Sequence, residues 1–353
     1  MLPRHSADYR TLLWLAIMPA LVAFSFTHPS LSLWLCPLGM YLAACAGVIA
    51  HGHNHCPTFK NKRANAVMAA YLSVFYGYPT FGWIPTHNLN HHKFVNKPGD
   101  ATITWRHSKE NTLFIAASYF FVSSYFQSDP IKAYIRKAKS GNPALFRQIV
   151  TQYAIWGGVN FALLGVAIAM HGLGRGTATF FFAMGIPEIF ALWMIMTFNY
   201  MQHVHCDPWS ELNHSRNYVG RVFNFLMFNN GYHTAHHENA GTHWSKLPAV
   251  HASIEAGIHE DLKVKSFVWW CVKVWVLGAF FPSLRTKQIG RAPYDVGGGA
   301  QAKDLTSADV DALEAGMNAE IVRLSRRRAM VPSGGVASGR DSRGRHFFAV
   351  LWW

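Results

Sequence analysis

The sequence predicts an all-α integral membrane protein: four transmembrane helices, paired as two hairpins, under a cytoplasmic helical cap that holds a histidine-rich metal site. Half of the 353 residues are apolar and only 14% are charged, against roughly 25% in an average soluble domain. The long apolar stretches come in two pairs, each joined by a short link. Nine histidines form three tight clusters, each just outside an apolar stretch.

Four apolar stretches are close to the roughly 20 residues that a bilayer-spanning helix needs. We expect spans over residues 11–27, 31–50, 148–170 and 177–198. His28-Pro29-Ser30 separates the first two, and residues 171–176 separate the last two. No small-x-small cleavage site follows the first stretch, and a second span comes at once. We therefore interpret it as an uncleaved anchor and not as a signal peptide.

Three other apolar stretches are not expected to cross the membrane. Residues 66–84 contain Gly77, Pro79 and Gly82, which disfavour a straight span, so the segment is predicted to be re-entrant or interfacial. Residues 112–127 are short, and a crossing there would invert the second hairpin; they are predicted to be interfacial. Residues 267–281 include Lys273 and are predicted to form an amphipathic surface helix.

Charge predicts the orientation of the chain. Twelve Lys and Arg but only three Asp and Glu occur from His51 to Arg147, whereas the two hairpin tips carry only Arg175. The positive-inside rule places the N-terminus, the histidine clusters and the C-terminal part in the cytoplasm, and we expect a bacterial inner membrane. The net charge of +14 is spread between apolar spans, which favours a membrane surface or an acidic protein over nucleic acid. Five cysteines without a CxxC motif indicate neither a disulfide framework nor a thiolate metal site.

Two regions are predicted from these patterns. Residues 1–283 form the membrane domain, and residues 284–353 form a polar, partly disordered tail in which residues 304–327 are expected to be one polar helix.

The clusters, at residues 51–55, 87–92 and 233–237, have the chemistry of a metal site. Imidazole suits iron, copper, zinc and nickel. Residues four apart on a helix share a face, so His51 and His55 are expected to hold one metal together. The same spacing predicts a pairing of His87 with His91. An adjacent histidine points about 100° away and is expected to reach a second metal, which indicates a dinuclear centre.

A further histidine, His203, ends the fourth apolar stretch, as His51 and His55 end the second. Asn199 lies one turn earlier and can face the same centre, where an amide oxygen binds a metal directly or through water.

The pattern H-x3-H, H-x3-HH, H-x2-HH, with Gln-His-x-His between the second and third boxes, resembles the membrane fatty acid desaturase and hydroxylase superfamily. Supporting segments are residues 91–96 and 230–238, the latter followed by Leu247-Pro248. The resemblance covers about residues 10–260. It implies four spans under a cytoplasmic cap and two iron ions, with O2 as co-substrate.

Carried over residue by residue, the resemblance implies nine histidine ligands and one amide that acts through water. These metal-site residues are His51, His55, His87, His91, His92, His203, His233, His236, His237 and Asn199. The resemblance and the sequence name no catalytic residue beyond them.

Metal-bound imidazoles usually donate their other N–H to a carboxylate or carbonyl. Four residues near the boxes are therefore candidates for supporting contacts behind the ligands: Asp100, Asp207, Glu238 and His205. His53 points away from the His51 and His55 face, and His214, His243 and His251 are expected to be hydrogen-bonding residues of the cap.

These features predict an O2-dependent di-iron desaturase that introduces a double bond into a long acyl chain carried by a lipid, coenzyme A or a carrier protein. Acetylenase, hydroxylase and ketolase chemistry on the same scaffold is the alternative. No His-Pro-Gly-Gly haem motif is present, so electrons are expected from a separate ferredoxin- or cytochrome-like donor that docks on the basic cytoplasmic face.

Three other classes fit less well. A histidine-rich metal transporter is a remote alternative, because transporters hold ions near the bilayer midplane and these clusters lie outside the spans. A zinc hydrolase is disfavoured by the lack of H-E-x-x-H. A soluble carboxylate di-iron protein needs paired Glu-x-x-His motifs, and only Glu211-Leu-Asn-His214 occurs.

Overall fold

The computed structural model describes residues 2–295 and the backbone of residues 339–340 and 346–347. The chain divides into two units, Met1–Asp304 and Leu305–Trp353. In the second unit, the described strands β3 (Gly339–Arg340) and β4 (His346–Phe347) pair antiparallel. The polar helix predicted over residues 304–327 lies outside the described residues. The following paragraphs concern the first unit.

Four helical stretches are long and apolar enough to cross a membrane, and they match the predicted spans. They cover Asp8–Thr27, Pro29–His55, Pro143–His171 and Leu173–His203. The first is α1 (Asp8–Thr27), and the second is a short 3-10 turn leading into α2 (Ser32–His55). These four helices in two hairpins confirm the all-α membrane fold.

The second hairpin is α6 (Pro143–His171) followed by α7 (Leu173–Phe180) and α8 (Ile186–His203), which a π-helical turn at Phe181–Gly185 joins. Both α2 and α8 extend five residues beyond the predicted spans, because the polar residues at their ends continue the helix. This extension carries the histidines past the apolar stretch while they remain on rigid backbone.

The segment between the hairpins is helical but contains no candidate span. It begins with α3 (Lys62–Tyr76), which the Asn61 side chain caps by accepting from the Ala64 N–H. After a 3-10 turn at Thr80–Gly82, a π-helical stretch (Ile84–His91) leads into α4 (His92–Phe94). The next helix, α5 (Leu113–Gly141), is much longer than the interfacial segment predicted over residues 112–127.

The cap is built from short elements after α8. Strand β1 (Asn217–Tyr218) pairs parallel with β2 (Lys263–Val264) and closes a loop that contains three helices. The helices are α9 (Arg221–Leu226), α10 (His233–Glu238) and α11 (Leu247–Ile254). The predicted surface helix is present as α12 (Phe267–Cys271), a π-helical turn (Val272–Leu277) and α13 (Gly278–Phe280). Its exposed Val268, Trp269 and Phe280 suit a membrane surface.

Residues 284–295, which the sequence places in the tail, contact the segment that follows α8. The Ile289 N–H donates to the His205 carbonyl at 3.0 Å, and the Arg291 N–H donates to Asp207 Oδ2 at 3.0 Å. The boundary between the two predicted regions at residue 284 stays a prediction.

Gly47 allows α2 to approach α8 and α3 closely. A Cβ atom at this position would lie 2.8 Å from Cγ1 of Ile195 and 2.9 Å from the ring of Tyr76. Both distances are shorter than van der Waals contact, so the helices can pack at this spacing only because residue 47 has no side chain. The close packing fixes the C-terminal end of α2, which carries His51 and His55.

We expect Gly47→Ala to destabilise the protein by about 1–3 kcal/mol, because the added methyl group overpacks the contact with Ile195 and Tyr76. The matched control is Gly52→Ala in the same helix, where a Cβ meets nothing within 4 Å. Thermal unfolding in detergent measures both variants. An unchanged unfolding midpoint for Gly47→Ala would contradict the packing argument.

Candidate metal centre

The predicted histidine ligands meet in two groups at one end of the spans. The first group is His51, His55, His87, His92 and His236, and the second is His91, His203, His233 and His237. Within each group, one nitrogen per residue lies within 4.8 Å of every other. His91 and His237, which belong to the second group, also lie against His92 of the first group. The groups are therefore adjacent, as a dinuclear centre requires.

Four nitrogens of the first group form a closed ring. Nε2 of His51 is 2.8 Å from Nε2 of His87 and 3.0 Å from Nε2 of His236. Nε2 of His92 is 3.1 Å from each of the same two atoms. An imidazole nitrogen has one proton or one lone pair in the ring plane, so it cannot form two good hydrogen bonds. Four such atoms in a ring are explained by lone pairs that converge on one central cation.

The fifth member, His55, faces the whole ring of four. Its ring centroid lies 4.8–5.2 Å from those of His51, His87, His92 and His236. Its Nε2 atom is buried and has no hydrogen-bond partner among the described residues. A buried nitrogen left without a partner costs free energy unless it binds something, and a metal ligand has that property.

The nitrogen spacing fits a metal ion. Nitrogens about 3 Å apart around a ring of four lie about 2.1 Å from its centre, which is the usual metal–imidazole bond length. No thiolate or carboxylate belongs to either group. A set of neutral nitrogen donors suits iron, copper, zinc or nickel, and five donors leave a sixth octahedral position open.

The second group is an open chain of nitrogens. Nε2 of His203 is 3.1 Å from Nε2 of His91 and 2.9 Å from Nε2 of His233. Nε2 of His237 in turn is 3.1 Å from Nε2 of His233. Four donors in this arrangement leave more open positions than the first group does.

The pairing expected for the second box is wrong. His87 joins His92 in the first group, whereas His91 belongs to the second group. The reason is the π-helical stretch Ile84–His91, in which residues five apart, and not four apart, come onto the same face. In α2 and α10 the helix is of the α type, and the pairs His51 with His55 and His233 with His237 follow the expected spacing of four.

Asp100, one of the candidates for a supporting contact, lies against His91. Its Oδ2 lies 2.7 Å from Nδ1 of His91. Burial alone would raise the pKa of Asp100, but His91, the Thr102 hydroxyl and the Asn96 N–H together hold that pKa well below its ordinary value. The carboxylate therefore keeps the proton of His91 on Nδ1 and leaves the Nε2 lone pair for a metal.

Two further contacts form around His214, and one of them involves Glu238, a candidate for a supporting contact. Nδ1 of His203 donates to the His214 carbonyl at 3.0 Å, which fixes the ring of this ligand. Glu238 lies 3.6 Å from Nε2 of His214 and so supports the same loop.

Three predicted site residues lie elsewhere. The His205 ring contacts the Thr286 hydroxyl and the Lys109 carbonyl, at 2.8 and 2.7 Å. Asp207 accepts from backbone N–H groups of Trp209, Ser210 and Arg291 and so organises a loop. The Asn199 amide donates to the Tyr119 hydroxyl at 3.1 Å, and its role as a water-mediated ligand stays a prediction.

Three residues of the site have no signal in the histidine pattern. Thr102 contacts both Asp100 and His91, at 2.6 and 3.0 Å. Asn96 donates from its amide to the His203 carbonyl at 3.1 Å. Trp83 lies against His51, with ring centroids 5.1 Å apart. Thr102 and Asn96 could have been found by asking which residues near Asp100 in the sequence can donate hydrogen bonds to its buried carboxylate.

Three histidines that the sequence does not assign to the metal lie outside both groups and contact other residues. The His53 ring contacts the Thr58 hydroxyl at 2.9 Å and the Asn65 carbonyl at 3.3 Å. His243 contacts Asp8, and His251 lies 3.8 Å from Glu255.

A family model described as fatty acid desaturase matches residues 28–269, which is more than half of the chain and includes every histidine of both groups. The chain belongs to the fatty acid desaturase family. No curated protein and no solved structure gives a significant match. As a member of this family the protein is an integral membrane oxidoreductase that acts on acyl chains in a lipid environment, and its histidine groups are metal sites consistent with iron.

We expect His51→Ala to lower the number of bound iron ions in this desaturase-family protein, because it opens the ring of four nitrogens. His53→Ala is the matched control: both histidines lie in α2, both are 8% exposed, and only His51 joins a metal group. Elemental analysis of purified protein gives the iron content. Equal losses in the two variants would contradict the assignment.

We expect the metal-free protein to lose stability as the pH falls below about 6.5. Burial and the facing histidines hold the pKa values of five ligands outside the spans well below the ordinary 6.5: those of His87, His92, His233, His236 and His237. The unfolded chain therefore binds more protons than the folded chain at these pH values, and protons favour unfolding.

Thermal unfolding of the chelator-treated protein tests this expectation. The unfolding midpoint should be steady above pH 7 and fall steeply between pH 6.5 and 5, and His236→Gln should make the fall shallower. A midpoint independent of pH over that range would contradict the expectation.

Proposed function

We propose that this protein is an O2-dependent di-iron fatty acyl desaturase that introduces a double bond into a long acyl chain carried by a lipid, coenzyme A or a carrier protein. The observation that supports the proposal most is the adjacency of two all-histidine groups at the ends of two apolar spans. Histidine donors without thiolates leave positions open for O2, and the spans offer an apolar route for a chain whose methylenes each gain about 0.8 kcal/mol on burial.

The two iron ions would be held by the groups of five and of four histidines described above. Bound there, iron would supply the activation of O2 and the removal of hydrogen from an unactivated carbon. The protein residues fix the donors: Asp100 keeps the proton of His91 on Nδ1, and the His214 carbonyl does the same for His203. The indole of Trp83 lies beside His51 and His87 and excludes water from that side.

The position of the substrate decides which carbon loses the first hydrogen. The next step on the neighbouring or the same carbon decides the class of product. Loss of a second hydrogen from the neighbouring carbon gives an alkene, whereas addition of oxygen gives an alcohol. We favour the alkene, and the acetylenase, hydroxylase or ketolase reaction is the alternative within the family.

The electron donor is proposed to be a separate acidic ferredoxin- or cytochrome-like protein on the cytoplasmic side. Basic side chains lie on aromatic rings of the cap: Lys97 and Arg291 over Trp209, and Lys109 over Tyr294. Lys97 follows Asn96, whose amide contacts the His203 carbonyl. A donor bound at this surface would lie next to the second histidine group, and charge complementarity would speed its docking.

Mass-spectrometric profiling of cellular fatty acids tests the proposed reaction. A host that expresses the protein together with a reductase and a ferredoxin should accumulate a product two mass units lighter than a host acyl chain. His236→Ala should abolish this product and lower the bound iron, whereas His53→Ala should retain both. A product that gains oxygen would favour the hydroxylase alternative. Unchanged product from His236→Ala would refute the assignment.

A further inference from the structure

A small cavity with several polar residues in its wall connects the first histidine group with the N-terminal end of α1. Its volume is about 40 Å³, and three of its lining residues are ligands of the first group: His51, His55 and His236. Asp8 and His243 line the same cavity. At about 10–15 Å³ per water, the cavity has room for a few water molecules, and the polar side chains in its wall can hydrogen-bond them.

Asp8 is a buried carboxylate whose two oxygens differ, because one accepts hydrogen bonds and the other has no partner among the described residues. It is 2% exposed. Its Oδ1 accepts from the Thr11 hydroxyl, from Nε2 of His243 and from Nε1 of Trp244, each at 3.1 Å. Its Oδ2 is buried and has no hydrogen-bond partner among the described residues. A buried carboxylate oxygen without a partner is costly in a folded protein, and water in the cavity would satisfy it.

His243 links Asp8 to the protein surface. Its Nδ1 accepts from the backbone N–H of Ser245 and lies 2.8 Å from the half-buried Ser245 hydroxyl. Because Nδ1 accepts, Nε2 carries the proton and donates it to Asp8. An imidazole between a hydroxyl at the surface and an internal carboxylate can take up a proton on one nitrogen and release one from the other.

We infer that Ser245, His243 and Asp8 form a proton relay that supplies the metal centre through the water of this cavity. The inference rests on the proposed desaturase function. Forming one alkene and reducing O2 to two waters requires two electrons and two protons besides the two substrate hydrogens. Each relayed proton enters at Nδ1 of His243 while Nε2 gives its own proton to Oδ1 of Asp8. Rotation of the protonated carboxyl group then turns this O–H toward the cavity water, which takes the proton and carries it to the oxygen that becomes water. A flip of the His243 ring restores the proton on Nε2.

Neighbouring charged groups face the relay from three elements. His5 stacks on His243 with ring centroids 4.0 Å apart, and Arg4 and Lys246 lie close to it. His53 of α2 lines the same cavity. Burial and His243 lower the pKa of His5, so at neutral pH this ring is uncharged and does not oppose a proton on His243.

Asp8→Asn tests the relay in the iron-loaded, full-length protein. The substitution keeps the shape and the acceptor oxygen but removes the group that takes up a proton. Turnover should fall roughly a hundredfold, with a larger solvent deuterium isotope effect and more hydrogen peroxide released per electron. Asp8→Glu should restore part of the turnover. Imidazole in the buffer should do the same for His243→Ala.

Thr11→Val is the matched control, since it removes one hydrogen bond to Asp8 Oδ1 and leaves the relay groups in place. Iron content should be the same in Asp8→Asn, Thr11→Val and the unchanged protein, and Asp8→Asn should lower the unfolding midpoint no more than Thr11→Val does. An electron-cryomicroscopy map that resolves water should show density between Asp8 Oδ2 and His51.

The outcomes separate the two proposals. If the unchanged protein makes no alkene, the proposed function fails. If it makes alkene and Asp8→Asn has the same turnover and isotope effect, the relay is wrong. A lower unfolding midpoint with an unchanged isotope effect would show that Asp8 only stabilises the start of α1. A change confined to KM or chain-length preference would assign the cavity to the substrate.

Discussion

Nine imidazole rings must converge in a buried space with their nitrogens facing one another, and the rest of the structure depends on this condition. Protonated rings at 3 Å would repel strongly, and the neutral rings direct lone pairs at each other. A bound cation would accept the lone pairs and would replace the protons on these nitrogens, so neither repulsion would remain. Metal binding is therefore coupled to the stability of the fold, as it is wherever ligands are preassembled by folding.

The helices are arranged to meet that condition at the edge of the membrane. The second and fourth spans continue without a break into His55 and His203, so these histidines stand on hydrogen-bonded helical backbone. The remaining ligands come from the segment between the hairpins and from α10 of the cap. Left-handed residues Val95 and Asn96 turn the chain sharply after α4, and this turn brings Asp100 back to His91. For residues without glycine's freedom this backbone conformation is costly, and it is common at functional sites.

Much of this arrangement could be predicted from the sequence, because hydrophobic length and histidine spacing are strong local signals. The spans, the surface helix after residue 267 and the role of Asp100 all follow from them. The errors have a shared physical origin in backbone geometry that residue identity does not reveal. The π-helical stretch changes the partner of His87, and the left-handed backbone at His205 turns that side chain toward Thr286 and Lys109. Asp207 meets residue 291, far away along the chain, which no local pattern could indicate.

The π-helical stretch Ile84–His91 also explains how two histidine motifs of different length distribute their rings between the two groups in the same way. In residues 233–237, of α-helical form, the first and last histidines serve one group and the penultimate histidine serves the other. Residues 87–92 have one more residue, and yet the first and last histidines again share a group, with the penultimate one in the other. The extra residue is thus accommodated by the wider π-helical turn, and both motifs distribute their rings between the two groups in the same way. Histidine motifs of this kind are therefore better compared by which rings share a group than by the number of residues between them.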